Sequence, residues 1–210
     1  KKGKRQGGFT LIEMMFAIFV AAILIGIGAP SFRDFIRNSR MTAQANDLLS
    51  GITLARSEAV KRRTPVTLCA GTPTACNATG AYDDGWVVFA DEDGDGVIDA
   101  GDAILHEHAA MPNGFSSYVK QSTDDEEEDS PDYATSSTRY VSFGQNGFRR
   151  MNNGTLPVAL AVVLCDTRGN ELSGTGPDLS TARALELSTT GRAAITRSKD
   201  RITALGGCST

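Results

Sequence analysis

From Phe9 to Ala29 nearly every position is apolar, with a single carboxylate, Glu13, near the beginning. About 20 apolar residues in a row are enough to cross a bilayer as a helix. The run ends in "GIGAP", whose glycines and proline are expected to weaken the helix there without ending it. Beyond Pro30 the only strong breaker before Arg63 is Gly51. Leu48, Ile52, Ala55 and Ala59 recur at helical spacing and are expected to face a globular body. After "RRTP" the period changes to that of strands: "PVTLCA" (65–70), "GWVVFAD" (85–91), "AILHEHA" (103–109), "RYVSFG" (139–144), "VALAVVLC" (158–165) and "ARALELS" (182–188). Turns rich in glycine, asparagine and aspartate separate them. The pattern predicts an α+β fold, one long N-terminal helix packed on an antiparallel β-sheet domain. Four segments follow: a leader at 1–8, an apolar helix at 9–30, its amphipathic continuation at 31–63 and a β-rich body at 64–210.

Glu13 is the position that periodicity does not explain. An ionised acid within a membrane span costs roughly 3 kcal/mol on insertion scales. The apolar run contains no cation to offset it. A secretory signal peptide would use Lys1, Lys2, Lys4 and Arg5 as its charged region, but such peptides are cut after the apolar run, and "GIGAP" is a poor site. A plain membrane anchor leaves the acid without a partner. Cleavage between Gly8 and Phe9 gives it one, because Phe9 then carries a new amine four residues away. Because the chain starts on Lys1 rather than Met, further leader residues are expected upstream.

The stretch "GGFTLIE" resembles the class III signal of type IV pilins and type II secretion pseudopilins. The resemblance implies that Gly8 is the glycine before the cut, that Phe9 becomes the N-methylated first residue, and that Glu13 docks the subunit into a growing filament. "LARSEAVKRRTPVTLC", "GWVVFADEDGDGVIDAGD", "VSFGQNG" and "LSTTGRAAI", in that order, resemble the FimT and H-type branch of minor pilins and pseudopilins. A protein of this kind is a structural subunit that initiates or caps a type IV pilus. The same resemblance admits an H-type pseudopilin of a type II secretion system. The implied partners are other minor and major pilins, the prepilin peptidase and an inner-membrane assembly platform. The implied location is the bacterial inner membrane, single-pass with the body in the periplasm, and then the filament.

Composition supports one globular domain: roughly 150 residues remain beyond the apolar helix, enough for a real core. Formal side-chain charge is −4, and loss of the four leader cations takes it to −8. An acidic body argues against bulk binding of nucleic acid. Four cysteines behind an export signal point to disulfides. Three connectivities are possible. Cys69 and Cys76 flank a short turn-rich loop and are expected to pair, which leaves Cys165 with Cys208. His106 and His108 share a strand face with no nucleophile or acid pattern around them, and no catalytic constellation emerges. The acidic run "STDDEEEDSPD" (122–132) reads as a solvated loop.

Two further segments carry candidate chemistry. "DEDGDGVIDAGD" fits the spacing of a twelve-residue calcium loop, with Asp91, Asp93, Asp95, the Val97 carbonyl, Asp99 and Asp102 as ligands and Gly96 at the sharp turn. Strands rather than helices flank it, and Asp102 is shorter than the glutamate usual at the last position. "TGRAAITRSKDR" is basic, with Arg192, Arg197, Lys199 and Arg201 against Asp200. The resemblance to FimT-type minor pilins implies DNA binding through a C-terminal GRxR motif. Gly191 and Arg192 match its start, but Ala194 stands at the second arginine position. A pilus-tip DNA receptor is therefore a further alternative.

Overall fold

The computed structural model describes residues 8–77, 80–122, 133–135, 140–150, 160–173 and 176–208. Leader residues 1–7, the acidic stretch 123–132, Arg139 and the first two residues of the expected 158–165 strand lie outside these. The chain divides into two units, Lys1–Arg40 and Met41–Thr210. One helix, α1 (Leu11–Arg62), belongs to both.

In the first unit α1 continues through "GIGAP", as its apolar pattern requires. Its side chains are exposed along almost the whole run, with Phe9, Leu11, Phe16, Leu24 and Ile27 all open. The helix is long and apolar enough to cross a membrane by length and composition. Arg33, Arg37 and Arg40 follow the run and are exposed.

In the second unit α1 buries a stripe made of Met41, Ala45, Leu48, Ile52, Ala55 and Ala59, spaced in steps of three and four. The four positions expected from periodicity are in it, extended by one turn and more toward the N-terminus. The helix ends with Arg63 at φ +57°, whose N–H donates to the Ala59 carbonyl. Pro65 follows and cannot continue a helix.

The stripe covers two antiparallel sheets rather than the single sheet the sequence suggested. The first runs β2 (Ala75–Cys76), β1 (Val66–Thr72), β3 (Trp86–Ala90) and β4 (Ala103–His108), with β7 (Tyr140–Phe143) also paired to β1. The second has the order β10 (Ala193–Ser198), β9 (Leu179–Leu187), β8 (Leu160–Cys165), β5 (Ser116–Ser122), β6 (Tyr133–Thr135). Leu68, Trp86 and Val88 of the first sheet share one core with Val162, Leu164 and Leu185 of the second.

Each sheet's outer face has its own cover. All six residues of β8 are buried, because successive side chains point to opposite faces and both faces are packed. Leu160, Val162 and Leu164 enter the shared core; Ala161, Val163 and Cys165 meet Ile202 and Leu205 around the short helix α2 (Lys199–Ala204). Ser198 caps α2 by accepting the Arg201 N–H. On the first sheet Cys69, Val87 and Phe89 are covered by Cys76, Ile98 and Tyr140. Disulfides fix both covers: Cys69 is bonded to Cys76, and Cys165 to Cys208.

Arg183 on β9 is the largest polar intrusion. It is fully buried, and its guanidinium donates to the carbonyls of Ser180, Thr181 and Ala182 and to Thr42 Oγ1 on α1. Burial, reinforced by Arg197 and Arg168, pushes its pKa down to about 10.

Gly51 permits the closest approach of helix to sheet. A Cβ placed there would run into the Trp86 ring and stand 3.1 Å from Leu68. Alanine improves helix propensity by about 1 kcal/mol, whereas overpacking a rigid core costs about 1–3 kcal/mol. The indole is buried and walled in, so the second effect dominates. Gly51→Ala is expected to lower unfolding stability by about 1–2 kcal/mol in a urea titration. The disulfides close loops of 7 and 43 residues. Chain entropy then assigns roughly 2.5 kcal/mol to the first and roughly 4 kcal/mol to the second. Cys165→Ser should therefore lower the unfolding midpoint more than Cys69→Ser, and the reverse order would contradict this account.

Candidate functional site

The N-terminal segment begins α1 with a reciprocal cap. Thr10 Oγ1 lies 3.3 Å from the Glu13 N–H and accepts from it, while Glu13 Oε2 accepts the Thr10 N–H at 3.4 Å. This is a capping box, and it satisfies two of the donors left over at a helix start. Glu13 therefore has a backbone hydrogen-bond partner before any cleavage; the partner expected from cleavage at Gly8 is a cationic one. The signal was present as "TLIE", Thr–x–x–Glu ahead of an apolar run. The box also aims the carboxylate back over the first turn, toward the residue that would become the N-terminus. Gly8 is exposed, and a Cβ there would meet nothing within 4 Å. Packing within the chain therefore does not demand glycine at that position.

The acidic loop joins β3 to β4. Asp91, Asp93 and Asp95 come together, one carboxylate oxygen from each lying within 4.8 Å of the others. Asp91 is buried, and its Oδ2 accepts from Thr67 Oγ1 at 2.6 Å and from the Gly96 N–H at 3.2 Å. Burial holds its carboxyl above the ordinary range, partly opposed by these hydrogen bonds. Asp99 and Asp102 are not members of the three-residue group. Asp102 acts as a latch: its two oxygens accept the N–H groups of Glu92 (3.3 Å) and Asp99 (2.9 Å), ten and three residues back along the chain. Asp99 is exposed, and its carboxyl is raised by desolvation first and then by Asp95, Asp93 and Asp102. Val97 donates its N–H to Asp95 Oδ1.

The basic segment is divided among three elements instead of forming one strip. Gly191, at φ +84°, makes the turn between β9 and β10; a Cβ there would come within 2.8 Å of Phe143, and its carbonyl accepts from Arg56 on α1. Arg192 is exposed beside it. Arg197 is half-buried on β10. Arg201 on α2 is bound to Glu186, Nη2 to Oε2 at 2.6 Å and Nε to the same oxygen at 3.1 Å. Lys199 lies 3.9 Å from Glu171. Two of the four cations thus face carboxylates of the same domain.

The histidines flank Trp86. His108 stacks on its ring at 5.0 Å and 7°, and His106 lies at 5.2 Å, tilted. His108 Nε2 also stands 3.5 Å from Asp47 on α1. This is a packing arrangement on β4, as their shared strand face suggested.

A long N-terminal helix, an apolar span with a capped acid at its head and a body of antiparallel sheets define the pilin-like class of protein. The profile of the prokaryotic N-terminal methylation motif matches residues 3–29. That of the family described as type II transport protein GspH matches residues 44–191, well over half of the chain, and the chain belongs to that family. Type IV major alpha-pilin of Moraxella bovis is 38% identical over 61 residues, which cover 29% of this chain and 38% of the pilin. Prepilin peptidase-dependent protein D of Escherichia coli K12 is 39% identical over 66 residues, 31% of this chain and again 38% of that protein. The chain thus spans well under half the length of these relatives. Among solved structures, type IV minor pilin FimU of Pseudomonas aeruginosa PAO1 superposes with a TM-score of 0.50 at 19% identity, covering 77% of this chain and 92% of that one. That likeness shows the fold.

The latch role of Asp102 has a local consequence. Asp102→Ala removes the acceptor of two backbone N–H groups and leaves β3 and β4 paired. Amide hydrogen exchange should accelerate at Glu92 and Asp99 and stay unchanged at Val87 and Val88. Unchanged exchange at both loop amides would remove the latch.

Proposed function

We propose that the protein is a low-abundance subunit of a pilin-like filament, cut between Gly8 and Phe9, held in the inner membrane by residues 9–30, and then assembled to initiate or cap a type IV pilus. One observation carries this reading: the methylation-motif match ends on a helix whose apolar side chains, from Phe9 to Ile27, are left exposed by the chain's own fold. Such a surface needs lipid before assembly and neighbouring helices after it. An open Gly8, which no intramolecular packing explains, fits recognition by a prepilin peptidase. The body, with its disulfides, suits an oxidising periplasm. Other minor and major pilins and an inner-membrane assembly platform are the partners this reading requires.

Family membership favours a second reading, an H-type pseudopilin of a type II secretion system. The two share processing and assembly chemistry and differ in the phenotype of a deletion. Loss of surface pili supports the first, and retention of secreted proteins in the periplasm supports the second.

The capped acid generates the test of assembly. After cleavage the Phe9 nitrogen becomes an amine one residue from the N–H that Glu13 already accepts. Glu13→Ala should leave membrane insertion intact or improved, since an acid is removed from the apolar run. Recovery of the protein in sheared filaments should fall at least tenfold. Wild-type recovery would show that the carboxylate is not an assembly contact. Gly8→Val should act earlier, leaving an uncut, slower-migrating precursor on a denaturing gel.

A further inference from the structure

The loop between β3 and β4 places three carboxylates together with no cation of the protein among them. Among the described residues, none of Asp91, Asp93 and Asp95 forms an ion pair. The nearby Arg150 guanidinium instead donates to the Gly94 carbonyl at 3.4 Å. Asp91 is fully buried at 0% exposure. One of its oxygens is satisfied by Thr67 and Gly96, and the other, Oδ1, has no hydrogen-bond partner. A buried carboxylate oxygen without a donor carries a desolvation penalty.

We propose that this loop is a calcium site built on the carboxylates of Asp91, Asp93 and Asp95. Size and chemistry both point to that ion. Calcium takes six to eight oxygens at about 2.3–2.6 Å, so opposed oxygens stand roughly 4.6–5.2 Å apart. The three donor atoms here, all within 4.8 Å of one another, fall inside that span without rearrangement. Magnesium holds its ligands at about 2.0–2.1 Å in a strict octahedron and keeps most of its water, so a convergent all-carboxylate set suits it less. No sulfur or imidazole belongs to the group, so softer metals are disfavoured.

The backbone brings the acids together. Gly94 and Gly96 both have positive φ, +77° and +78°, which folds alternate residues onto one side. Asp102 closes the loop by holding Glu92 and Asp99, and it stands outside the group of three converging carboxylates. With three protein carboxylates and water completing the shell, affinity belongs at the weak end, on the order of 10⁻⁴ to 10⁻³ M, as in extracellular modules. The ion would tie the exposed Asp93 and Asp95 to the buried Asp91, and so fix the loop that carries Ile98 onto the outer face of the first sheet.

Tyr140 offers a built-in reporter. Its ring packs against Gly96, where a Cβ would stand only 2.5 Å from it. Terbium, a calcium mimic, should emit when tyrosine next to its site is excited. The test uses the purified full chain in detergent, stripped with chelator and checked by circular dichroism. Terbium should give sensitised emission, and millimolar calcium should displace it. Calcium titrated alone should give heat with a dissociation constant on the order of 10⁻⁴ to 10⁻³ M. Asp93→Asn with Asp95→Asn changes exposed residues only, so the fold should survive while calcium binding weakens at least tenfold. Tyr140→Phe should weaken the emission and leave the calcium heat unchanged. Absence of calcium heat at millimolar concentration, undiminished binding in the double variant, or equal displacement by magnesium would each overturn the assignment.

Discussion

The body of the protein depends on how closely α1 can approach two sheets at once. The side chains between packed elements set how far apart their backbones stand. Here three of the six stripe residues are alanine, and Gly51 lets the Trp86 ring fill the space where a side chain would be. The larger members, Met41, Leu48 and Ile52, then reach into the seam where Leu68 and Val88 of one sheet meet Val162, Leu164 and Leu185 of the other. One helix face thus closes a core that two open sheets could not close alone. Arg56 and Arg183 add polar ties: one reaches from α1 to the Gly191 turn, the other, buried, from β9 to Thr42.

Closing the inner faces leaves the outer ones to be covered. Short secreted domains often lack the sequence length to cover both sides of a sheet with helices, and cross-links compensate. In this protein each outer face receives a small apolar cluster held by one disulfide. The Cys69–Cys76 loop lies against the acidic loop, with Cys76 Sγ 3.6 Å from the Gly96 carbonyl oxygen. Cys208 draws the C-terminal residues onto β8, beside α2. The Asp-rich loop is therefore part of the cover of a sheet, and whatever orders it also shields Val87 and Phe89.

How much of this was legible in the sequence varied with the type of signal. The long helix was plain because both its halves are periodic, one apolar all round and the other striped. Strands with apolar runs, β1, β3, β7, β8 and β9, were visible for the same reason. β5 and β10 were not, because "SSYVKQS" and "AAITRS" are half polar and each borrows its stability from a buried neighbour. α2 is too short for any period to show. A division into two sheets is a tertiary choice that no local pattern records. At the sites, the convergence of Asp91, Asp93 and Asp95 was readable from spacing, whereas the part played by Asp102 depended on which backbone amides the loop brings near it. The capping box at Thr10 and Glu13 was written openly but was obscured by the question of membrane cost. The basic segment looked continuous in one dimension and became dispersed once a turn, a strand and a helix took it in three directions.

Because α1 is made first and is joined to elements made last, the fold has a high contact order. Arg183 meets Thr42 across 141 residues and Gly191 meets Arg56 across 135. Long-range closures of this kind are slow, since loop entropy is lost before contacts are gained. The stripe of α1 consequently has to wait, uncovered, until β8 and β9 exist to receive it. An apolar stripe left waiting is prone to aggregate. If the first residues are seated in a bilayer, as proposed, the chain carrying that stripe is tethered during the wait. On the proposed membrane seating, the apolar segment would thus have a second use, as a folding tether for the domain behind it.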